Sequence, residues 1–187
     1  MMKISKLLCK SFALLSLLLI ACSNTDDIQQ KVKEIDASQL KVRDPFIFYD
    51  ADTDYYYLHV NGTLKVKSYK SKDLLTWQEN GYSFLPSAGF WGKEDFWAPD
   101  FYKYEDKYYL FITLSAPGVK RGTSVLVSDR VTGTFQPLVN NAVTPQEWTC
   151  LDGSLYVDSE GTPWIFYCRE WVEVGDGEIY VQQLKDD

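Results

Sequence analysis

The sequence predicts an all-β chain, folded as part of a β-propeller, on three observations. The first is a phrase that returns at a fixed distance: Arg43-Asp44-Pro45-Phe46-Ile47-Phe48-Tyr49, Trp97-Ala98-Pro99-Asp100-Phe101-Tyr102 and Leu151-Asp152-Gly153-Ser154-Leu155-Tyr156-Val157. Asp44, Ala98 and Asp152 stand 54 residues apart in both steps. A period of this size in strand-like sequence marks a radial or stacked repeat. The second is a hairpin of aromatic strands opening on each phrase. The third is that no stretch beyond the leader shows a helical period. A β-sandwich is also all-β, but it does not require the 54-residue recurrence.

Residues 1–22 read as a leader. Lys3, Lys6 and Lys10 precede an apolar run from Phe12 to Ala21, the pattern of a secretory signal peptide. The run is shorter than the roughly 20 apolar residues of a membrane span. It ends in Leu19-Ile20-Ala21-Cys22, which resembles the bacterial lipobox, so Cys22 is the expected lipidation site. An ordinary secretory signal with a chance cysteine is the competing reading. Lipidation anchors a protein to a membrane surface without spanning it. The chain is therefore expected to be exported and held to the bacterial cell envelope, at the outer membrane, facing the periplasm or the surface. Residues 23–40 are polar and read as a tether, which leaves 41–187 as the folded domain.

The strands follow in order. Phe46–Tyr49 and Tyr55–Val60 flank the turn Asp50–Asp54, and Phe101–Tyr104 and Tyr108–Ile112 flank Glu105–Lys107. Leu155–Val157 and Trp164–Tyr167 flank Asp158–Pro163. Turn residues between apolar runs give hairpins. Each second strand is nearly continuous in apolar residues, as expected of a strand buried on both faces. A second motif follows each hairpin, Ser71-Lys72-Asp73-Leu74-Leu75-Thr76-Trp77 and then Ser128 to Phe135, and a third copy begins at Glu178 to Leu184. Four strands per unit describe a propeller blade, and the chain holds about two and three-quarter of them.

Charge and cysteine content narrow the function. Three lysines and no acids leave with the leader, so 16 basic residues face 26 acidic ones. That balance argues against nucleic acid, which requires a basic face. Beyond Cys22 only Cys150 and Cys168 remain, around the third hairpin. They are either two buried thiols or a disulfide, which export permits. No Cys/His cluster suggests zinc and no loop has calcium-ligand spacing, so neither metal nor cofactor is expected.

Asp44 and Asp152 open the innermost strands of blades one and three, and should face one end of the central channel. Paired carboxylates across a cleft can hydrolyse glycosides. Asp before Pro or Gly also simply opens turns. Asp100 lies two positions after the aligned start, on the same face, and can line the pocket or hold structure by hydrogen bonds. Trp97 can offer a flat face to a sugar ring. Trp91, Phe96 and Trp171 are weaker candidates for that role. Arg43 can pair with a carboxylate at the site or form an exposed salt bridge. His59, the only histidine, lies in an aromatic strand and reads as a packed core residue.

Arg43-Asp44-Pro45, Trp97-Ala98-Pro99-Asp100, Leu151-Asp152-Gly153-Ser154-Leu155 and the Ser71–Trp77 turn together resemble glycoside hydrolase family 43. The resemblance covers residues 41–187. It implies a five-bladed propeller and inverting hydrolysis of polysaccharides or oligosaccharides containing arabinose or xylose. It makes Asp44 the general base and Asp152 the residue that tunes and orients the general acid. The family's usual Asp-Pro-Ser reads Asp152-Gly153-Ser154 here. The acid itself opens blade four, which the period places near residue 206. Glu170, Glu173 and Glu178 sit within blade three and do not fill that role. A chain ending at Asp187 is thus expected to lack the acid and to be a doubtful hydrolase by itself. A β-fructosidase-like retaining hydrolase is one alternative, although its Asn-Asp-Pro-Asn-Gly opening is absent. A non-catalytic glycan-binding surface lipoprotein is the other.

Overall fold

The computed structural model describes residues 33–185. The leader, Cys22 and the first part of the tether lie outside the described residues. Twelve strands form three antiparallel sheets among them. The first sheet contains β1 (Glu34–Asp36), β2 (Phe46–Asp50), β3 (Tyr55–Gly62), β4 (Lys65–Ser71) and β5 (Thr76–Phe84), in the order β1-β5-β4-β3-β2. The second contains β6 (Glu94–Tyr104), β7 (Lys107–Ala116), β8 (Val119–Ser128) and β9 (Gln136–Pro137), in chain order. The third contains β10 (Cys150–Val157), β11 (Pro163–Arg169) and β12 (Glu178–Gln183), with the one-turn helix α1 (Trp171–Val174) before β12. From β2, β6 and β10 onward each sheet is a meander, and β1 adds to the far edge of the first; this is the blade pattern of a propeller.

The tether is shorter than the sequence suggests. Residues 34–40 belong to the first blade, because β1 pairs with β5 through Glu34↔Gln78, Ile35↔Trp77 and Asp36↔Thr76. Ile35, Ala37 and Leu40 pack on the cluster of Leu58, Val60, Tyr69 and Trp77. Asp36 caps the 3-10 turn Ala37–Gln39 by accepting from the Ser38 amide at 2.9 Å. A few apolar residues in a polar stretch were enough to cover an otherwise open sheet edge.

The doubly buried strands behave as their composition predicts. In β7, Leu110, Ile112 and Leu114 pack with Phe96, Phe101, Leu126 and Phe135 towards the first sheet. Phe111, on the opposite face, packs with Val125, Cys150, Ile165 and Tyr167 towards the third. Successive residues of a strand point to opposite faces, so one strand contributes to both inter-blade cores. His59 is fully buried, stacked on Phe101 at 4.1 Å, with Nδ1 2.7 Å from Ser83 Oγ. Burial holds its imidazole pKa down at about 3, so it is neutral.

The recurring serine motif has one local cause. Ser71 Oγ accepts from the Leu74 amide at 2.9 Å and donates to the Thr76 carbonyl at 2.6 Å. Ser128 Oγ accepts from the Arg130 amide at 3.2 Å, and Trp77 and Phe135 return as buried aromatics. Cys150 and Cys168 are both free. Cys150 pairs with Arg169 and Cys168 with Leu151, and that one-residue offset puts the two thiols on opposite faces.

Candidate active site

The three aligned positions share a backbone conformation. Asp44, Ala98 and Asp152 have φ of 51°, 42° and 54°, in the left-handed region that non-glycine residues rarely occupy. The β6–β7 register shifts between Trp97 and Asp100, and the β10–β11 register shifts between Leu151 and Ser154. Positions 98 and 152 therefore sit in equivalent bulges, which re-aim a side chain relative to its strand. Asp44 lies two residues ahead of β2 and not at its first residue, in the same conformation. The repeat is thus a repeat of backbone geometry at the inner strand ends.

Asp152 feels the other acidic side chains near it. Asp152 is exposed to solvent, yet surrounding protein takes water from its carboxyl. This loss of hydration is the largest cause raising its pKa. The negative charges of Asp44, Asp100 and Glu170 add to it, and Arg121 opposes them. Asp44 is thus among the charges that Asp152 feels. Asp44 is about half exposed, and Arg43 Nε lies 3.3 Å from its Oδ2. Arg43 is itself 83% exposed, and such exposed pairs contribute little to stability.

Asp152 is held by its backbone. Its amide donates to Thr113 Oγ1 at 2.9 Å, and the Gly153 amide donates to Thr123 Oγ1 at 3.2 Å. Both threonines are buried and belong to blade two. The bulge frees two amides from the ladder, and the neighbouring blade satisfies them. A Cβ on Gly153 would meet Thr123 Oγ1 at 2.5 Å. Glycine in place of the family's proline is accordingly a fit to Thr123, and the carboxylate beside it is kept.

Asp100 is a clamp between blades. Its Oδ2 accepts from Ser154 Oγ at 2.6 Å and from Tyr102 OH at 3.1 Å, which ties β6 to β10. Burial pushes the Tyr102 phenol up to about 12, so it remains a donor. Trp97 is 37% exposed, with the Arg121 guanidinium carbon 4.4 Å from its ring centroid. Trp91 is instead tied down, its indole donating to Ser124 Oγ at 2.7 Å, and Phe96 is fully buried. Trp171 lies exposed on α1.

Arg121, Asp95 and Glu170 escape a reading of the sequence as site residues. Arg121 Nε donates to Asp95 Oδ2 at 2.9 Å, and its Nη1 donates to Glu170 Oε1. The nearest signal for them is Arg121 itself, a charged residue directly before the buried run Gly122–Leu126 of β8. Glu173 accepts from Lys120, from Thr149 Oγ1 at 3.0 Å and from Arg169 Nε at 3.3 Å. Lys120 leads in holding its carboxyl down at about 2. That makes Glu173 a structural anion, not an acid. Among the described residues no group of three or more His, Cys, Asp or Glu side chains is placed to hold a metal ion.

Known proteins resemble this chain in sequence and fold. The extracellular exo-alpha-(1->5)-L-arabinofuranosidase ArbA of Cellvibrio japonicus is 25% identical over 167 residues, covering 81% of this chain and 46% of that protein. The crystal structure of an endo-arabinase from Bacteroides thetaiotaomicron superposes with a TM-score of 0.79 at 61% identity, covering 81% of this chain and 53% of that one. An endo-1,4-beta-xylanase structure from the same organism superposes at 0.66 with 26% identity, covering 83% of this chain and 50% of that one. The chain thus spans about half the length of the relatives it matches. The family profile of the glycosyl hydrolases family 43 matches residues 37–187, nearly everything the three sheets contain, and the chain belongs to that family.

Proposed function

We propose that this chain carries the base and the modulator of an inverting glycosidase site that acts on arabinose-containing polysaccharide. The observation that supports the reading is the left-handed turn that Asp44 and Asp152 share at equivalent repeat positions, with Asp44 among the charges that raise the Asp152 pKa. The relatives named as an endo-arabinase and an exo-alpha-(1->5)-L-arabinofuranosidase favour arabinan over xylan, and the 61% identity of the first carries most weight.

In a single displacement, water attacks the anomeric carbon while the bond to the leaving oxygen breaks. Asp44 takes the proton that the water gives up. A carboxylic acid on the other side of the sugar gives its proton to the leaving oxygen. Asp152 serves that acid indirectly. A carboxylate cluster disfavours further negative charge, so an acid placed beside it holds its proton to higher pH. The described residues form three blades, and the position the resemblance gives to the acid, at the start of a fourth, is not among them. The trans-envelope destination is part of the same proposal: the leader and Cys22 direct export and lipid anchoring, in keeping with a relative named as extracellular.

The test is hydrolysis of linear arabinan by this chain, alone and joined to the half of the Bacteroides endo-arabinase that it does not match. Asp44→Asn should lower the rate by about 10²–10⁴-fold, the usual contribution of a general base. Undiminished activity in that variant sinks the base assignment. Product anomers read by NMR should be inverted, and retention would point to the β-fructosidase-like chemistry. Labelling with palmitate should depend on Cys22 and vanish in Cys22→Ser.

A further inference from the structure

One guanidinium joins the partly exposed indole of Trp97 to two carboxylates. Arg121 comes from β8, yet its three partners come from elsewhere. Asp95 and Trp97 lie at the start of β6, and Glu170 lies between β11 and α1, in the third blade. Glu170 is buried, and its amide is held by the Thr149 carbonyl at 2.8 Å. A buried carboxylate is tolerated when a partner neutralises it, and Arg121 is that partner. Asp95 is fixed a second time by Ser115 Oγ at 2.5 Å.

The segment so held is strained. Asp95, Phe96 and Ala98 have φ of 73°, 52° and 42°, three left-handed non-glycine residues within four positions. Such conformations persist where the surroundings over-determine them, and they cluster at functional sites. Arg121 grips this segment at two points, by the ion pair to Asp95 and by stacking on Trp97. Trp97 keeps its partial exposure, next to the carboxylate cluster in which Arg121 is felt at Asp152.

We propose that Arg121 is a positioning residue, which holds Trp97 as the wall for a pentose ring and sets the charge balance around Asp152. The proposal rests on the glycosidase reading. Lysine cannot substitute, because only the planar fork bonds Asp95 and Glu170 while stacking on an indole. The role has two separable parts: the fork sets geometry, and the charge sets the field.

The test uses the full chain with 5-fluorotryptophan, the Trp97 resonance being assigned through Trp97→Phe, and arabinopentaose as probe. Arabinopentaose should shift the Trp97 resonance. Arg121→Lys should displace the Trp97 resonance before ligand is added and weaken binding about tenfold or more, while the Asp152 carboxyl titration by carbon NMR stays in place. Arg121→Gln should change both, moving the Asp152 titration upward. Where Arg121→Gln does not fold, Arg121→Gln with Glu170→Gln removes the buried unpaired charge and carries the geometric half of the test. A merely structural Arg121 gives lower melting temperatures with an unmoved Trp97 resonance, affinity and Asp152 titration, and that result overturns the proposal. If neither the unsubstituted chain nor its fusion to the unmatched half of the endo-arabinase binds arabinopentaose, the arabinan reading fails. The Trp97 resonance and the Asp152 titration still decide on Arg121: changed as above they uphold it, unchanged they overturn it.

Discussion

Restoring the phrase usual in this family should damage this chain. Gly153→Pro would recreate Asp-Pro-Ser next to the candidate site, but Thr123 occupies the space. A Cβ at position 153 would lie 2.5 Å from Thr123 Oγ1, 2.6 Å from its Cγ2 and 2.8 Å from its Cβ. Thr123 is fully buried, and its own amide donates to Thr144 Oγ1 at 3.1 Å, so it cannot easily withdraw. Overpacking of this kind costs about 1–3 kcal/mol. Proline also deletes the amide that donates to Thr123 Oγ1, which adds about 1 kcal/mol. The sum is a large part of the ~5–15 kcal/mol that holds a typical domain together. Gly153→Ala isolates the steric part. Urea denaturation followed by tryptophan fluorescence, at constant slope, reads both. In a Thr123→Ala background, which removes the two nearest atoms, the penalty of Gly153→Ala should fall by about 1 kcal/mol or more. Additivity within about 0.5 kcal/mol would refute the contact as the reason for glycine.

Three further outcomes follow from the site and the core. Asp152 holds its proton more tightly folded than unfolded, so stability declines as pH rises above the ordinary carboxylate range near 3.9. Asp152→Asn should therefore melt higher than the parent at pH 7, and the gain should vanish below about pH 4; a lower melting temperature at pH 7 would contradict the crowding of charge described above. His59, with its pKa near 3 in the fold, stabilises the protein fully above the unfolded value of about 6.5. On the order of 4–5 kcal/mol of that is lost as pH falls from there to about 3, and its imidazole should show no titration by NMR between pH 8 and 5. Cys150 and Cys168 should remain thiols: non-reducing peptide mapping should recover them unlinked. Cys150, buried and pushed up to about 11, should resist thiol reagents in the native state, and a Cys150–Cys168 crosslink would contradict the strand register.

The sequence and the fold meet most closely where a backbone requirement left a trace in residue choice. The 54-residue phrase is legible because the same left-handed turn recurs at Asp44, Ala98 and Asp152, and the residues around it must accommodate that turn each time. The hairpins are legible because the middles of β3 and β7 are buried on both faces and are mostly aromatic or aliphatic. Contacts between blades leave no such trace. Asp100 reads equally as a pocket residue or a structural one until Ser154 is placed 2.6 Å from it. Glu170 looks like any surface glutamate until β11 delivers it to Arg121. Residues 34–40 look like tether because three apolar residues in a polar stretch do not announce a strand, and only the open edge of β5 makes one of them.

The same distinction sorts the site itself. Asp44 and Asp152 share a left-handed turn that the repeat makes visible in the chain, and Asp152 sits besides in a bulge. The residues that set their environment, Arg121, Thr113 and Thr123, all arrive from blade two through side-chain contacts. Blade two contributes Ala98, not a carboxylate, at the aligned position. Its part is to supply the hydroxyls that hold the Asp152 bulge and the cation that faces the cluster. A propeller that repeats one backbone device can therefore give its blades different work: blades one and three each carry a carboxylate at the aligned position, and blade two supplies the hydroxyls that hold the second of them.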